Sequence, residues 1–238
     1  MILRFALPVL AACVLAAPVS FAAAPRAPLR KAPPPVEIPL ADTVGVAITT
    51  EMGVITLELD GKHAPISTAN FLRYVDGKRF DGITFYRAMH LKWGDQPNGL
   101  IQAGVRGDPK RVLPPIAHEP TNVTGVKHIA GAISLARLAP GTATGDFSIL
   151  LSTIEGLDAD PKSSDPELQA GYAAFGHVVS GMDVVRAIWD APLSETEGEG
   201  VMKGQMLARP VKVLTVRRVS LPLAAPPVTG ASAVAPLP

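Results

Sequence analysis

Between residues 44 and 219, apolar and polar positions alternate in short runs separated by turn formers, the pattern of half-buried strands. Val44, Val46 and Ile48 share one parity and predict a strand over 44–49. Residues 54–59 alternate in turn and predict its hairpin partner, ended by Asp60-Gly61. A helix follows. Pro65 stands where a first helical turn tolerates it, and Ile66, Ala69, Leu72 and Val75 recur every third residue, with Phe71 widening the apolar face. Further strands are predicted over 83–88, 100–105, 130–136, 147–152, 172–179 and 210–219. In the last, Val211, Val213, Thr215 and Val219 share a parity. Met182, Val185, Ile188 and Trp189 mark one side of a second helix. Residues 109–128 show little periodicity, and 153–171 read as a long surface loop. About eight strands joined by turns, without helical crossovers, predict an all-β antiparallel barrel or sandwich, with the two helices covering its open ends.

The ends of the chain have a different texture. Arg4, the uncharged apolar stretch 5–19 and the small residues Ser20 and Ala22 form the pattern of a secretory signal peptide over 1–22. The apolar stretch is shorter than the roughly 20 residues of a bilayer span, so no integral membrane segment is expected after processing. Residues 23–40 form an Ala/Pro-rich leader, 41–220 the folded domain, and 221–238 an uncharged Ala/Pro-rich tail expected to be disordered. The expected location is periplasmic or secreted. Cys13 closes the tetrad Leu10-Ala11-Ala12-Cys13, which resembles a bacterial lipoprotein box, and lipidation there is the alternative processing route.

Composition removes several function classes. The 22 Lys+Arg and 21 Asp+Glu give a formal charge of +1, so there is no bulk electrostatic case for nucleic-acid binding. With one cysteine, no internal disulfide, thiolate zinc cluster or iron–sulfur site can form. There is no phosphate-binding glycine loop, no dinucleotide fingerprint and no Gly-x-Ser-x-Gly elbow. No cofactor is expected. No metal is expected either, since His63, His90, His118, His128 and His177 lack helical ligand spacing, although His118 and His128 could meet in three dimensions. The sequon Asn122-Val123-Thr124 reads as silent. Arg87 falls in a predicted strand, where arginine is not a propensity choice. Its guanidinium either snorkels outward from a strand end or joins Gln102, a second polar residue in an apolar strand, on one wet face of a barrel. Neither reading names a reaction.

Five segments carry a resemblance: 64–71 (APISTANF), 80–87 (FDGITFYR), 100–104 (LIQAG), 131–136 (GAISLA) and 175–185 (FGHVVSGMDVV). In this order they resemble the cyclophilin-type peptidyl-prolyl cis-trans isomerases, of the bacterial exported type. The resemblance implies a closed eight-stranded antiparallel barrel capped by two helices, a monomer, proline-containing polypeptides as substrates, and isomerisation of the bond before proline in exported proteins. It assigns catalysis to Arg87 and Gln102. It assigns substrate binding to backbone groups around Ala136 and Arg137, and an apolar floor and wall to Leu100, Phe147, Phe175 and Tyr172.

The sequence also departs from the family pattern. Asp146-Phe147-Ser148 stands where a second aromatic usually follows the first, so Ser148 leaves the proline pocket smaller-walled and more polar. Gly99-Leu100 replaces the first pocket aromatic. The connection 89–98 is lengthened, and its Trp93 is a candidate to swing back and rebuild the wall; Leu168 is a weaker one. Two functions therefore stand side by side: a working isomerase of weak or selective activity, and a non-catalytic module that binds proline peptides or a partner through an eroded site. A tail segment such as Ala225-Pro226 is a further candidate occupant.

Overall fold

The computed structural model describes residues 40–221; the predicted signal peptide with Cys13, residues 23–39 of the leader and the tail beyond 221 lie outside the described residues. Eight strands run as β1 (Thr43–Thr50), β2 (Gly53–Asp60), β3 (Thr84–His90), β4 (Gly99–Gly104), β5 (Ala132–Leu135), β6 (Phe147–Leu150), β7 (Ala173–Ser180) and β8 (Met206–Val219). They close into an antiparallel barrel in the order β1-β2-β7-β5-β6-β4-β3-β8, with β8 pairing back onto β1. The helices are α1 (Pro65–Asp76), α2 (Thr121–Thr124), α3 (Pro166–Ala170) and α4 (Met182–Trp189). Closure leaves no unpaired edge, and inward and outward residues alternate along each strand.

The interior is apolar. Ile48, Ile55, Leu57, Leu59, Ile101, Ile133 and Val213 are fully buried there. Phe71 of α1 brings its ring within 5.0–5.4 Å of Phe80, Phe147 and Phe175, in tilted and edge-on packing. The long helices cap opposite ends. α1 begins just beyond the end of β2, whereas Val184 of α4 packs against Gly53 at the start of β2.

Four sequence expectations are corrected here. The buried stripe of α1 is Ser67, Thr68, Asn70, Phe71, Leu72, Tyr74 and Val75, while Ile66 is exposed. Phe71, Leu72 and Val75 are buried as expected, but Ile66 and Ala69 are not, because the polar Ser67, Thr68 and Asn70 take the inner positions there, and Thr68 donates to the Asp60 carbonyl at 3.1 Å. In β8 the buried parity changes from Val211 and Val213 to Val216. The pairing with β1 slips at Leu214, turning Thr215 half out and leaving Val219 exposed. β8 also starts earlier than expected, because Met206 pairs with Arg87 ahead of Pro210. The stretch 153–171 is no bare loop: it folds as a 3-10 turn at Glu155–Leu157 and as α3, whose first turn is capped by the Asp165 carboxylate.

Candidate active site

The site forms on the outer face of the barrel. Its backbone is a register row across four adjacent strands: Arg87 of β3 opposes Gln102 of β4, Gln102 opposes Ser148 of β6, and Ser148 opposes Ser134 of β5. Directly paired residues share a face, so these four polar side chains lie side by side. A bulge in β3 makes room for the arginine. The pairing jumps from Phe85 with Ala103 to Arg87 with Gln102, leaving Tyr86 unpaired. Phe85 stays in the core, while Tyr86 and Arg87 both line outer cavities.

Arg87 is held on both edges of its fork. Nη1 donates to Gln102 Oε1 at 2.8 Å. Nε and Nη2 donate to Gln205 Oε1 at 2.9 and 2.6 Å, and Nη2 also approaches Met89 Sδ at 3.7 Å. A guanidinium carries five N–H donors, so this set leaves one Nη1 N–H uncommitted. Burial disfavours its charge and pulls its pKa down. Only neutral acceptors meet it among the described residues.

Arg87 opens onto a cavity of about 180 Å³ walled by Met89, Leu100, Leu157, Tyr172 and Met202, with Gln102, Ser134, Ala136, Arg137 and Ser148 completing it. A second hollow of about 440 Å³ shares Gln102, Ala136, Arg137 and Met202 and continues over Tyr86, Arg106 and Asp146. There the Tyr86 hydroxyl donates to Asp146 Oδ1 at 3.0 Å, and the Arg106 guanidinium lies 4.9 Å above the Tyr86 ring. Burial pushes the Asp146 carboxyl and the Tyr86 phenol upward. A larger hollow of about 490 Å³ lies beside the β1–β2 turn, around Met52, Pro192 and Arg209, and includes none of these groups.

The predicted residues are thus only partly brought together. Arg87, Gln102, Leu100, Ala136, Arg137, Ser148 and Tyr172 line the smaller cavity. Phe147 and Phe175 do not: both are fully buried inside the barrel. The reason is alternation. Ser148 and Ala174 occupy the outer row with Ser134, which turns Phe147 and Phe175 inward. Trp93 is 61% exposed and lines neither cavity. Its loop is stapled onto itself, with the Trp93 carbonyl accepting from Asn98 Nδ2 at 2.6 Å and from Gln96 Nε2 at 3.3 Å. Leu168 is likewise exposed, and Leu157 supplies the apolar contact on that side. The Ala136 N–H is already committed to the Asp146 carbonyl at 2.9 Å, so Ala136 can meet a peptide only through its carbonyl. The Arg137 side chain is structural: it donates to Gly171 O at 2.6 Å, pairs with Glu167 at 3.0 Å and lies 4.4 Å over the Tyr172 ring.

Sequence reasoning missed Met89, Leu157, Met202 and Gln205. Outward alternation from Arg87 could have found Met89; the other three sit in stretches without periodicity. It also missed what His128 does. His118 bonds the Ala170 carbonyl and shares no partner with His128. His128 is buried between Asp158 and Ser134, each 2.8 Å from a ring nitrogen. An ionised Asp158 only accepts, so Nδ1 carries the proton and Nε2 accepts from the Ser134 hydroxyl.

Residues 45–217 match the family described as cyclophilin type peptidyl-prolyl cis-trans isomerase/CLD. The chain is 34% identical over 186 residues to a peptidyl-prolyl cis-trans isomerase of Acinetobacter baylyi, covering 76% of this chain and 88% of that one. It is 34% identical over 147 residues to peptidyl-prolyl cis-trans isomerase A of Dickeya dadantii, covering 60% and 70% respectively. A crystal structure of a Cryptosporidium parvum cyclophilin type peptidyl-prolyl cis-trans isomerase superposes with a TM-score of 0.56 at 20% identity, over 76% of this chain and 99% of that chain. Another, in the presence of the dipeptide Ala-Pro, gives 0.56 at 19% identity, over 74% and 99%. At such identities the structural likeness speaks for the fold.

Proposed function

Because the chain belongs to the cyclophilin-type peptidyl-prolyl cis-trans isomerase family, we propose that the cavity beside Arg87 catalyses rotation about the bond before proline. Family membership supports general proline isomerase activity. Rotation is slow because amide resonance sets a barrier of about 20 kcal/mol. No bond to carbon need form or break. The protein has only to bind the twisted amide better than the planar one.

The observation that carries the reading is the fixed Arg87 fork facing a cavity with one apolar wall of Met89, Leu100, Leu157 and Tyr172. As the amide twists, the proline nitrogen regains a lone pair and becomes an acceptor. An Nη1 N–H left over by the two glutamines can donate to it, from a half-buried charge that water screens less than one at the open surface. Met89, Leu100, Leu157 and Tyr172 would seat the ring, and the Gln102 amide N–H would hold peptide backbone. The test is NMR exchange on a proline peptide. Native protein should accelerate exchange, and Arg87→Ala should lower the acceleration about 100-fold. A folded native protein that leaves exchange unchanged for several residues before the proline sinks this reading.

Ser148 favours a second reading. A hydroxyl stands on the cavity wall where the resemblance implies an aromatic, so the ring is gripped less tightly. In that case the cavity binds proline segments without turning them over, and the same experiment would show peptide binding with no acceleration. The substrates we propose are exported polypeptides, a reading supported by the signal-like pattern of residues 1–22. Recovery of the mature protein from the cell envelope or medium, beginning at Ala23, is its expected signature.

A further inference from the structure

Gln205 lies within the residues matched to the family but outside the five motifs that carry the resemblance, and it makes two of the bonds that hold Arg87. Its backbone is fixed on both sides. The Gln205 N–H donates to Met202 O at 3.0 Å, and its carbonyl accepts from Ala88 N, one residue past Arg87, at 2.9 Å. Its amide can face only one way. Nε2 donates to the Val201 carbonyl at 2.8 Å, a pure acceptor, so Oε1 must face the guanidinium, a pure donor. The side chain therefore bridges Arg87 to the turn that carries Met202, a wall residue of the cavity.

Gln102 alone would leave the fork free to swing about its single Nη1 contact. Gln205 takes the Nε–Nη2 edge and removes that freedom. It does so with a neutral oxygen. A carboxylate in its place would hold the same edge but would pair with the guanidinium and draw its charge away from the substrate.

We propose that Gln205 is a positioning residue: its neutral amide oxygen fixes the Nε–Nη2 edge of Arg87, so that Nη1 meets the substrate amide with its charge uncancelled. The proposal rests on the isomerase reading of the site, and its test separates the two. Gln205→Leu keeps side-chain bulk but offers no acceptor. In NMR exchange at saturating proline peptide it should turn over at least about tenfold more slowly than native, because small misplacements of a reacting group are costly. Its peptide Kd should stay within about twofold, as expected when an interaction matters mainly in the transition state.

The second arm does not depend on activity. The Arg87 Nε–H is bonded to Gln205 alone, so its 15N–1H resonance should exchange slowly with water in the native protein, fast in Gln205→Leu, and slowly in Gln102→Leu. Gln205→Glu should keep the protected Nε–H and still lose turnover. Native turnover in Gln205→Leu, alongside an inactive Arg87→Ala, overturns the proposal, as does an unchanged Nε–H in Gln205→Leu. Native turnover in Gln205→Glu overturns the need for a neutral acceptor. If native protein itself is inactive, the isomerase reading fails while the Nε–H still judges the clamp.

Discussion

The His128 ring has no exposed surface, and its two nitrogens are taken up by Asp158 and Ser134. Burial disfavours the imidazolium and pulls its pKa down, and this outweighs the opposing pull of Asp158; Lys127 adds to the depression. The Asp158 contact is then a hydrogen bond to a neutral ring rather than an ion pair. In the unfolded chain the same ring takes up its proton near pH 6.5. As pH falls below that value the unfolded state binds the proton first. The stabilisation is therefore complete above about pH 6.5 and is lost as pH falls toward the lower folded pKa. Urea midpoints of the native protein should fall between pH 7 and pH 5. His128→Gln, which has no proton to take up, should be less stable at pH 7 but flatter across that range. An equal slope in both would place the acid sensitivity elsewhere.

Helix α1 shows how an element can depend on a distant residue. The first turn of a helix leaves backbone N–H groups without partners. Ala64, at the cap position, has no side chain to supply. Instead the buried Glu119 carboxylate accepts from Ile66 N at 3.0 Å and Ser67 N at 2.7 Å, across more than fifty residues of chain. Its charge also suits the positive end of the helix. Glu119→Ala should cost about 2–4 kcal/mol in urea unfolding, since two donors are orphaned and a charge-assisted pair is lost. Glu119→Gln, which keeps one acceptor, should cost less. No local rule finds this cap: residues 109–128 carry no periodicity, and a glutamate there reads as surface. The β3 bulge is hidden for the same reason. Residues 83–88 announce a strand, but only the pairing with β4 shows that Tyr86 and Arg87 share the outer side.

At the scale of the whole molecule, one closed barrel separates an apolar interior from an exterior that carries the cavities beside Arg87, and neighbouring residues of one strand serve different ends. Phe147 packs edge-on against Phe71, Phe80 and Phe85, with centroids at 5.3, 5.5 and 6.1 Å. Ser148, next to it, lines the cavity. Phe147→Leu should therefore lower unfolding stability by about 1–2 kcal/mol through imperfect refilling of the core, while leaving proline-peptide Kd within about twofold. A large loss of peptide affinity without loss of stability would return Phe147 to the site. Because β8 closes the barrel by pairing with both β3 and β1, the lost stability should appear as one cooperative transition seen by every strand.

The periodicity of the chain by itself determined the eight strands and the two helices, because each is a local period that water imposes on the sequence, and the turn-length connections determined the antiparallel class. Arg87 and Gln102 already stood out as polar residues in apolar strands, but whether they shared one face was left open by the sequence. The tertiary structure alone decided which aromatics face the core, which stretch of loop walls the cavity and what holds the arginine. Those depend on register, and one bulge or one slipped pair reverses which way a side chain points without changing a letter of the sequence. Gln205 comes within hydrogen-bond distance of Arg87 only because β8 returns to β3, a contact across 118 residues that no local pattern encodes.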